Sequence, residues 1–287
     1  NGMVLEANEA TVSTFDRSYL YGDSLYEVMR TYSGRFYRMD EHMSRLTKSA
    51  QLCRMVLAQS PDLYVKEMQK TYEVFKQRVP EGTEAYARII ISRGKGKIGF
   101  GLNCLETKTL YTIIIQPLDP PTPAQFEKGH ALQISSRLRN PRRALDPAMK
   151  SGNYLNSLLA FLDAAAEGFD DAVLCNDERH LTEGTTFNLF YARRGIVATP
   201  PLDIGILDGI TRRDTIRLAR ELGIEVREVR FAPEHLYAAD EVFLTSTIKE
   251  VFPVTRVDNR VIAEGKPGPL TRKLLKAFSE SVRRDFS

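Results

Sequence analysis

Three prolines within four residues divide this chain. In Asp119-Pro120-Pro121-Thr122-Pro123 the rings fix φ and remove backbone donors, so neither a helix nor a central strand is expected to run through. Segment 119–128 therefore reads as a linker between a smaller α/β unit over 1–118 and a larger unit over 129–287. The 287 residues, 43% of them hydrophobic, suffice to bury two modest cores.

Before the linker, Ser24 to Thr31 and Arg35 to Tyr37 read as strands around a turn at Ser33-Gly34. Asp40 is placed to cap a helix whose Met43, Leu46, Ala50 and Cys53 recur at helical spacing. Tyr86 to Ser92 and Leu110 to Gln116 read as two more strands. After the linker, Leu155, Leu158, Leu159 and Leu162 form a helical stripe ending at Gly168, and Ala172 to Cys175 is a short strand. Phe187 to Ala192 and Ile196 to Ala198 read as a hairpin over Arg194-Gly195. A helix over Thr211 to Gly223, a strand at Val242 to Ser246 and a last helix opened by Pro269 complete an α+β order in two domains. Asn1-Gly2 reads as a turn whose first strand lies upstream of residue 1.

Charge and cysteine usage narrow the function. A net charge of +3 with both signs interspersed gives no basic stripe for nucleic acid or a membrane surface. Cys53, Cys104 and Cys175 are odd in number and far apart, which fits neither a disulfide framework nor a metal set and points to the cytoplasm. The four histidines are too scattered for metal ligation, and neither a signal peptide nor an 18-residue apolar run is seen. Gly94-Lys95-Gly96-Lys97-Ile98-Gly99 matches the dinucleotide-binding glycine pattern after a strand. The required helix is missing, because Phe100-Gly101-Leu102-Asn103 and another strand follow. The glycines read instead as a flexible hairpin loop, a natural rim for an active site.

Some residue words carry chemistry. Lys150 lies in Ala148-Met149-Lys150-Ser151-Gly152-Asn153-Tyr154, and Glu183 in Leu181-Thr182-Glu183-Gly184-Thr185-Thr186-Phe187-Asn188. A lysine becomes a covalent catalyst only when burial or nearby positive charge favours its neutral amine, and a carboxylate on a pyridine nitrogen makes the ring an electron sink. Taken alone, each reads as a surface charge, and the case rests on the words around them and their order in the chain. Asp208-Gly209-Ile210-Thr211-Arg212-Arg213-Asp214 reads as a helix start, Thr211 and Asp214 making a capping-box variant, where backbone N–H groups can meet a phosphate. Leu244-Thr245-Ser246-Thr247-Ile248 runs a strand into small hydroxyl residues. Arg45, in Glu41-His42-Met43-Ser44-Arg45, is by spacing a surface partner of Glu41.

In this order the words resemble the class IV (fold type IV) pyridoxal-phosphate aminotransferases, which include branched-chain and D-amino-acid aminotransferases and aminodeoxychorismate lyases. The resemblance begins at Phe15-Asp16-Arg17-Ser18-Tyr19-Leu20-Tyr21-Gly22-Asp23 and ends at Gly265-Lys266-Pro267-Gly268-Pro269, nearly the whole chain. It implies pyridoxal 5'-phosphate held by the larger domain, a homodimer, and amino-acid and 2-oxo-acid substrates in amino-acid metabolism. Lys150 matches the Schiff-base lysine, Glu183 the partner of the pyridine nitrogen, and Tyr154 the hydroxyl near the cofactor's phenolic oxygen. Arg45, Ile210, Thr211 and Thr247 match the phosphate ligands. Tyr21, Tyr26, Arg88 and Ile248 match substrate-binding positions.

The resemblance is mixed as to substrate. Tyr26-Glu27-Val28-Met29-Arg30 looks like the D-amino-acid subgroup, but the 93–103 loop lacks that subgroup's Arg-x-His carboxylate trap. Tyr86-Ala87-Arg88 and Gly99-Phe100-Gly101-Leu102-Asn103 look like the branched-chain subgroup, whose arginine meets the side-chain carboxylate of glutamate. Branched-chain L-amino acids with 2-oxoglutarate, by ping-pong kinetics, are expected first. A D-amino-acid aminotransferase is the alternative, followed by the lyase and by a scaffold or binding protein that kept the fold without the cofactor.

Overall fold

The structure is a computed structural model and describes residues 1–286. The chain forms two compact units, one of Asn1–Asp119 with Met149–Asn153, the other of Pro120–Ala148 and the chain from Tyr154 onward. Lys150 thus belongs to the first unit, whereas the sequence assigned it to the second.

In the first unit, α1 (Arg17–Tyr21) leads into β1 (Ser24–Tyr32), and β2 (Arg35–Phe36) turns back on its end. Two helices follow, α2 (Met39–Leu52) and α3 (Pro61–Lys76), then β3 (Ala85–Ser92) and β4 (Leu110–Pro117). The strands form an antiparallel sheet in the order β2-β1-β3-β4. On β3, Ala85, Ala87, Ile89 and Ile91 are buried while Tyr86, Arg88 and Ile90 lie on the other, half-buried face, the period of a strand with one face on a core. That core takes Leu25 and Met29 from β1, Met43, Leu46 and Ala50 from α2, and Tyr64 and Met68 from α3.

Two local expectations change here. Asp40 does not cap α2: the cap position is Arg38, which takes a left-handed conformation and makes no side-chain cap bond, and Asp40 sits in the first turn, where its charge suits the helix dipole. Residues 61–76, for which the sequence reading named no element, form α3. Ser60 Oγ accepts from Leu63 N, Pro61 occupies the first turn, and Tyr64, Met68, Tyr72 and Phe75 fall on one face.

The second unit opens with another difference. The expected linker contains α4 (Pro123–Lys128): Thr122 Oγ1 accepts from Gln125 N at 3.2 Å, and Gln125 Oε1 accepts from Thr122 N at 2.8 Å. Pro123 is accommodated because a helix start leaves that N–H unpaired anyway. Next come β5 (His130–Leu138), α5 (Leu155–Ala166), β6 (Asp171–Cys175), β7 (Leu181–Gly184), β8 (Asn188–Arg193) and β9 (Ile196–Thr199). Then follow α6 (Ile210–Glu221), β10 (Val226–Glu228), α7 (Glu234–Tyr237), β11 (Glu241–Ser246), β12 (Glu250–Val257), β13 (Arg260–Val261) and α8 (Pro269–Phe286).

The strands run β10-β9-β8-β11-β12-β5-β6-β7, and β7 also pairs with β8. Six strands, β8-β11-β12-β5-β6-β7, therefore close on themselves, so none of the six is an open edge. Parallel contacts join β5 to both β12 and β6. The barrel interior holds Leu132, Val173, Leu181, Leu189, Val242, Leu244, Phe252 and Val254 within one core cluster. On α5 the buried residues are Ser157, Ala160 and Ala164, while Leu155, Leu158 and Leu162 are exposed. Among the described residues no helix is long and apolar enough to cross a membrane.

Candidate active site

Residues 149–153 reach the first unit by adding themselves to the edge of β1. Tyr26 N donates to Lys150 O at 3.0 Å, Gly152 N donates to Ser24 O at 2.8 Å, and Leu25 bridges Ser151 in antiparallel fashion. A Cβ on Gly152 would lie 2.2 Å from Ser24 Oγ, so a larger residue would push the Ser24 hydroxyl aside. Lys150 N also donates to Ser49 Oγ on α2 at 3.1 Å.

With its backbone held at both groups, Lys150 directs Nζ to the Tyr26 hydroxyl, 2.9 Å away. Nζ lies 4.3 Å from the Tyr26 ring centroid, and the Arg88 guanidinium carbon lies the same distance from that ring. Buried Tyr26 is thus the common neighbour of an amine and a guanidinium. Tyr21 stands on α1, where its hydroxyl accepts from Gly99 N at 3.0 Å and its ring meets Phe100. Arg17 donates to Gly99 O at 2.9 Å, so the glycine-rich loop is pinned to α1. It passes through a bridge at Gly96–Leu105 and one 3-10 turn, with no α-helix before β4.

Successive strand residues face opposite ways. Glu27, next to Tyr26, accordingly points to the side covered by α2 and is fully buried, which requires a partner of opposite charge. Arg45 supplies it with two bonds, Nε to Oε1 at 2.8 Å and Nη2 to Oε2 at 2.7 Å, and His42 Nδ1 lies 2.7 Å from Oε2. Arg45 is therefore buried against Glu27 rather than standing on the surface as its spacing suggested.

Burial alone would raise the Glu27 carboxyl, but the charge and hydrogen bond of Arg45, with help from His42, outweigh it and bring it down from 4.5 to about 2. Burial likewise holds the His42 imidazole below its ordinary value, against the pull of Glu27. A carboxylate with a depressed folded-state pKa adds stability above its unfolded value that is lost as pH falls through the folded one. Stability measured by urea unfolding should therefore fall between pH 4.5 and about 2 more steeply in the parent than in Glu27→Gln. Equal slopes would mean that the buried carboxyl is not ionised.

The second unit builds its cluster where the barrel closes. Glu183 on β7 is the register partner of Asn188 on β8, and it is buried. Arg139, just past β5, donates to Glu183 Oε1 from Nε at 3.1 Å and from Nη2 at 2.8 Å, and its Nη1 reaches Asn156 Oδ1 on α5 at 3.4 Å. Leu207 N donates to Oε2 at 3.0 Å, while Asn188 Nδ2 reaches it only at 3.4 Å. A carboxylate has about four lone-pair sites. Arg139 and Leu207 take three of them firmly, and one at Oε2 stays loosely held.

Asn188 connects this carboxylate to α6. A Cβ on Gly209 would lie 2.0 Å from Asn188 Oδ1, so a larger residue before the helix would displace the Asn188 amide. Gly209 is the cap and makes no side-chain cap bond. The expected capping box is therefore absent: Thr211 lies inside the helix, where its carbonyl accepts from Thr215 Oγ1. Ile210 and Thr211 belong to a first turn left without a side-chain cap, the positive end of a helix dipole. Tyr154 stands at the cap of α5, two residues before the Asn156 that meets Arg139. Thr247 and Ile248 occupy the turn between β11 and β12, which Ser246 Oγ closes by accepting from Lys249 N.

The first unit thus brings Lys150, Tyr26 and Arg88 together, and the second links Glu183 to the start of α6. Glu27, His42, Ser49, Arg139 and Asn188 were not singled out from the sequence. For Glu27 the usable signal was an acid inside a strand with apolar neighbours on both sides; for Arg139 there was none. Among the described residues no group of three or more His, Cys, Asp or Glu side chains is placed to hold a metal ion.

Comparison with known proteins adds a family. The sequence model of amino-transferase class IV matches residues 24–257. A branched-chain-amino-acid aminotransferase of Escherichia coli K12 is 35% identical over 97% of this chain and 90% of its own. A D-alanine aminotransferase of Bacillus licheniformis is 32% identical over 98% of this chain and 95% of its own. The solved structure of the Escherichia coli branched-chain enzyme superposes with a TM-score of 0.88 at 34% identity, covering 98% of this chain and 92% of that one. The branched-chain amino acid aminotransferase of Thermobaculum terrenum, solved in its PLP-form, gives 0.84 at 31% identity over 98% of this chain and 92% of that one.

Proposed function

This chain belongs to the class IV aminotransferases, and from that premise we propose that it is a pyridoxal-phosphate-dependent transaminase exchanging amino groups between branched-chain L-amino acids and 2-oxoglutarate. The residues present fit the cofactor. Lys150 offers a primary amine held by one phenol oxygen, Glu183 keeps a loosely held acceptor site at Oε2, and α6 begins without a side-chain cap. In this assignment Lys150 carries the cofactor, Glu183 meets its pyridine nitrogen, and Tyr154 lies near its phenolic oxygen. Arg45, Ile210, Thr211 and Thr247 hold its phosphate. Ile248 with the Thr247 backbone, Tyr21, Tyr26 and Arg88 receive the substrate.

When bound, the cofactor supplies an electron sink for the carbanion formed at the substrate's α-carbon. Lys150 Nζ would take the α-proton, with the Tyr26 hydroxyl setting the direction of the amine. Glu183, its charge supported by Arg139, holds a proton on the ring nitrogen. One 2-oxo acid leaves before the next enters, so kinetics should be ping-pong.

The observation that carries the substrate assignment is the Arg88 guanidinium stacked on Tyr26, the same ring that holds the Lys150 amine. A guanidinium there matches the second carboxylate of glutamate, and its aliphatic stem with the Tyr26 ring can pack against leucine. Arg88→Leu should therefore raise KM for glutamate and 2-oxoglutarate by roughly 10- to 100-fold while changing the leucine values much less. Equal losses on all substrates would make Arg88 a support of the sheet. A panel of L- and D-amino acids with 2-oxoglutarate and pyruvate tests the whole reading, and a preference for D-alanine would overturn it.

The assembly in this reading is a homodimer, supported by apolar side chains that the single chain leaves exposed: Leu155, Leu158 and Leu162 on α5, and Ile98, Phe100 and Leu102 on the glycine-rich loop. Light scattering on the purified protein tests it. Three free cysteines support a reducing compartment, the cytoplasm.

A further inference from the structure

Glu27 and His42 have no part in the roles above, yet they are built around a residue that does. We infer that Glu27, itself fixed by His42, is the positioning residue for the Arg45 guanidinium, giving it the orientation in which it binds phosphate. This rests on the proposed role of Arg45.

The geometry is specific. Two parallel N–H···O bonds set both the plane and the direction of a guanidinium, which a single contact would leave free to rotate. The carboxylate that receives them is 0% exposed and cannot turn toward water. His42 and Arg45 stand three residues apart on α2, so one helical face presents both to Oε2. An ionised carboxylate only accepts, so Nδ1 carries the proton in this contact. The Glu27 and Arg45 charges balance, which lets the guanidinium stay buried and oriented before any anion arrives. Without that carboxylate, the guanidinium has to find another partner or move toward solvent.

The test uses two ligands that differ only in the group Arg45 would hold. Apo-protein is titrated with pyridoxal 5'-phosphate and, separately, with pyridoxal, binding being followed by visible absorption. Glu27→Gln should weaken the phosphate ligand by about tenfold or more while pyridoxal changes less than about threefold. His42→Leu should move the same ratio in the same direction by less. His42→Asn, which keeps a donor near the place of Nδ1, should stay close to the parent.

Equal loss of both ligands in Glu27→Gln would reduce Glu27 to a packing residue and overturn the inference. Should that variant not fold, Glu27→Asp and His42→Leu carry the test on the same ratio, and equal losses there overturn it as well. Arg45→Ala separates the two levels of argument. If its loss is not phosphate-selective, the role of Arg45 fails and the inference with it. If its loss is selective while the Glu27 and His42 variants lose both ligands equally, only the positioning role is overturned.

Discussion

Lys150→Ala is expected to abolish transamination, lowering turnover on the order of 10⁴-fold or more, because in the proposed assignment one amine both carries the cofactor and moves the α-proton. The fold should survive. Lys150 is attached through its backbone, by bonds to Ser49 Oγ and from Tyr26 N, and neither needs the side chain. The variant should melt near the parent and lose the visible band that depends on covalent attachment. In the parent, borohydride should fix the cofactor to the peptide containing Lys150. Lys150→Arg keeps the positive charge beside Tyr26 but offers no nucleophile at neutral pH. Both variants should therefore be equally inactive, and turnover above background in either would remove Lys150 from the chemistry.

How legible this was depends on which link of the chain is asked for. Elements with a strong local signal were readable: the hairpin over Arg194-Gly195, the alternating strand ending at Ser92 and the helix begun by Pro269 need no distant partner. Helix α4 escapes a reading in which three prolines act as breakers, because Thr122 and Gln125 turn Pro123 into a helix start. Closure of the barrel was not readable, since the β7 to β8 pairing rests on one residue pair, Glu183 with Asn188, and no periodicity announces it. The membership of 149–153 in the first unit was hidden for the same reason. Its bridge to β1 joins Leu25 to the distant Ser151, and the flanking backbone bonds from Tyr26 N and Gly152 N hold it there. Residues that work through side-chain words, such as Lys150, Glu183 and Arg45, stood out in the sequence, while the groups bonded to them, Ser49, Arg139 and Glu27, emerged only once distant segments were paired.

The second large effect should come from Glu183→Gln, which is expected to slow the half-reaction by roughly 10²- to 10³-fold, since an amide does not stabilise a proton on the ring nitrogen as a carboxylate does. The local hydrogen bonds sharpen this expectation. Arg139 directs two donors at Oε1 and Leu207 N directs one at Oε2, so a glutamine must turn its oxygen to Arg139 and oppose its NH₂ to the Leu207 amide. The variant then presents a donor where the ring nitrogen needs an acceptor. It also leaves Arg139 without its counter-charge, so a modest fall in melting temperature is expected alongside the kinetic defect. Cofactor affinity should change far less than the rate, because the phosphate and the amine contribute most of the binding. Single-turnover absorbance with L-leucine separates these quantities. A half-reaction as fast as the parent's, with only the melting temperature lowered, would mean that Glu183 serves to close the barrel against Asn188 and that the ring nitrogen is governed by another group.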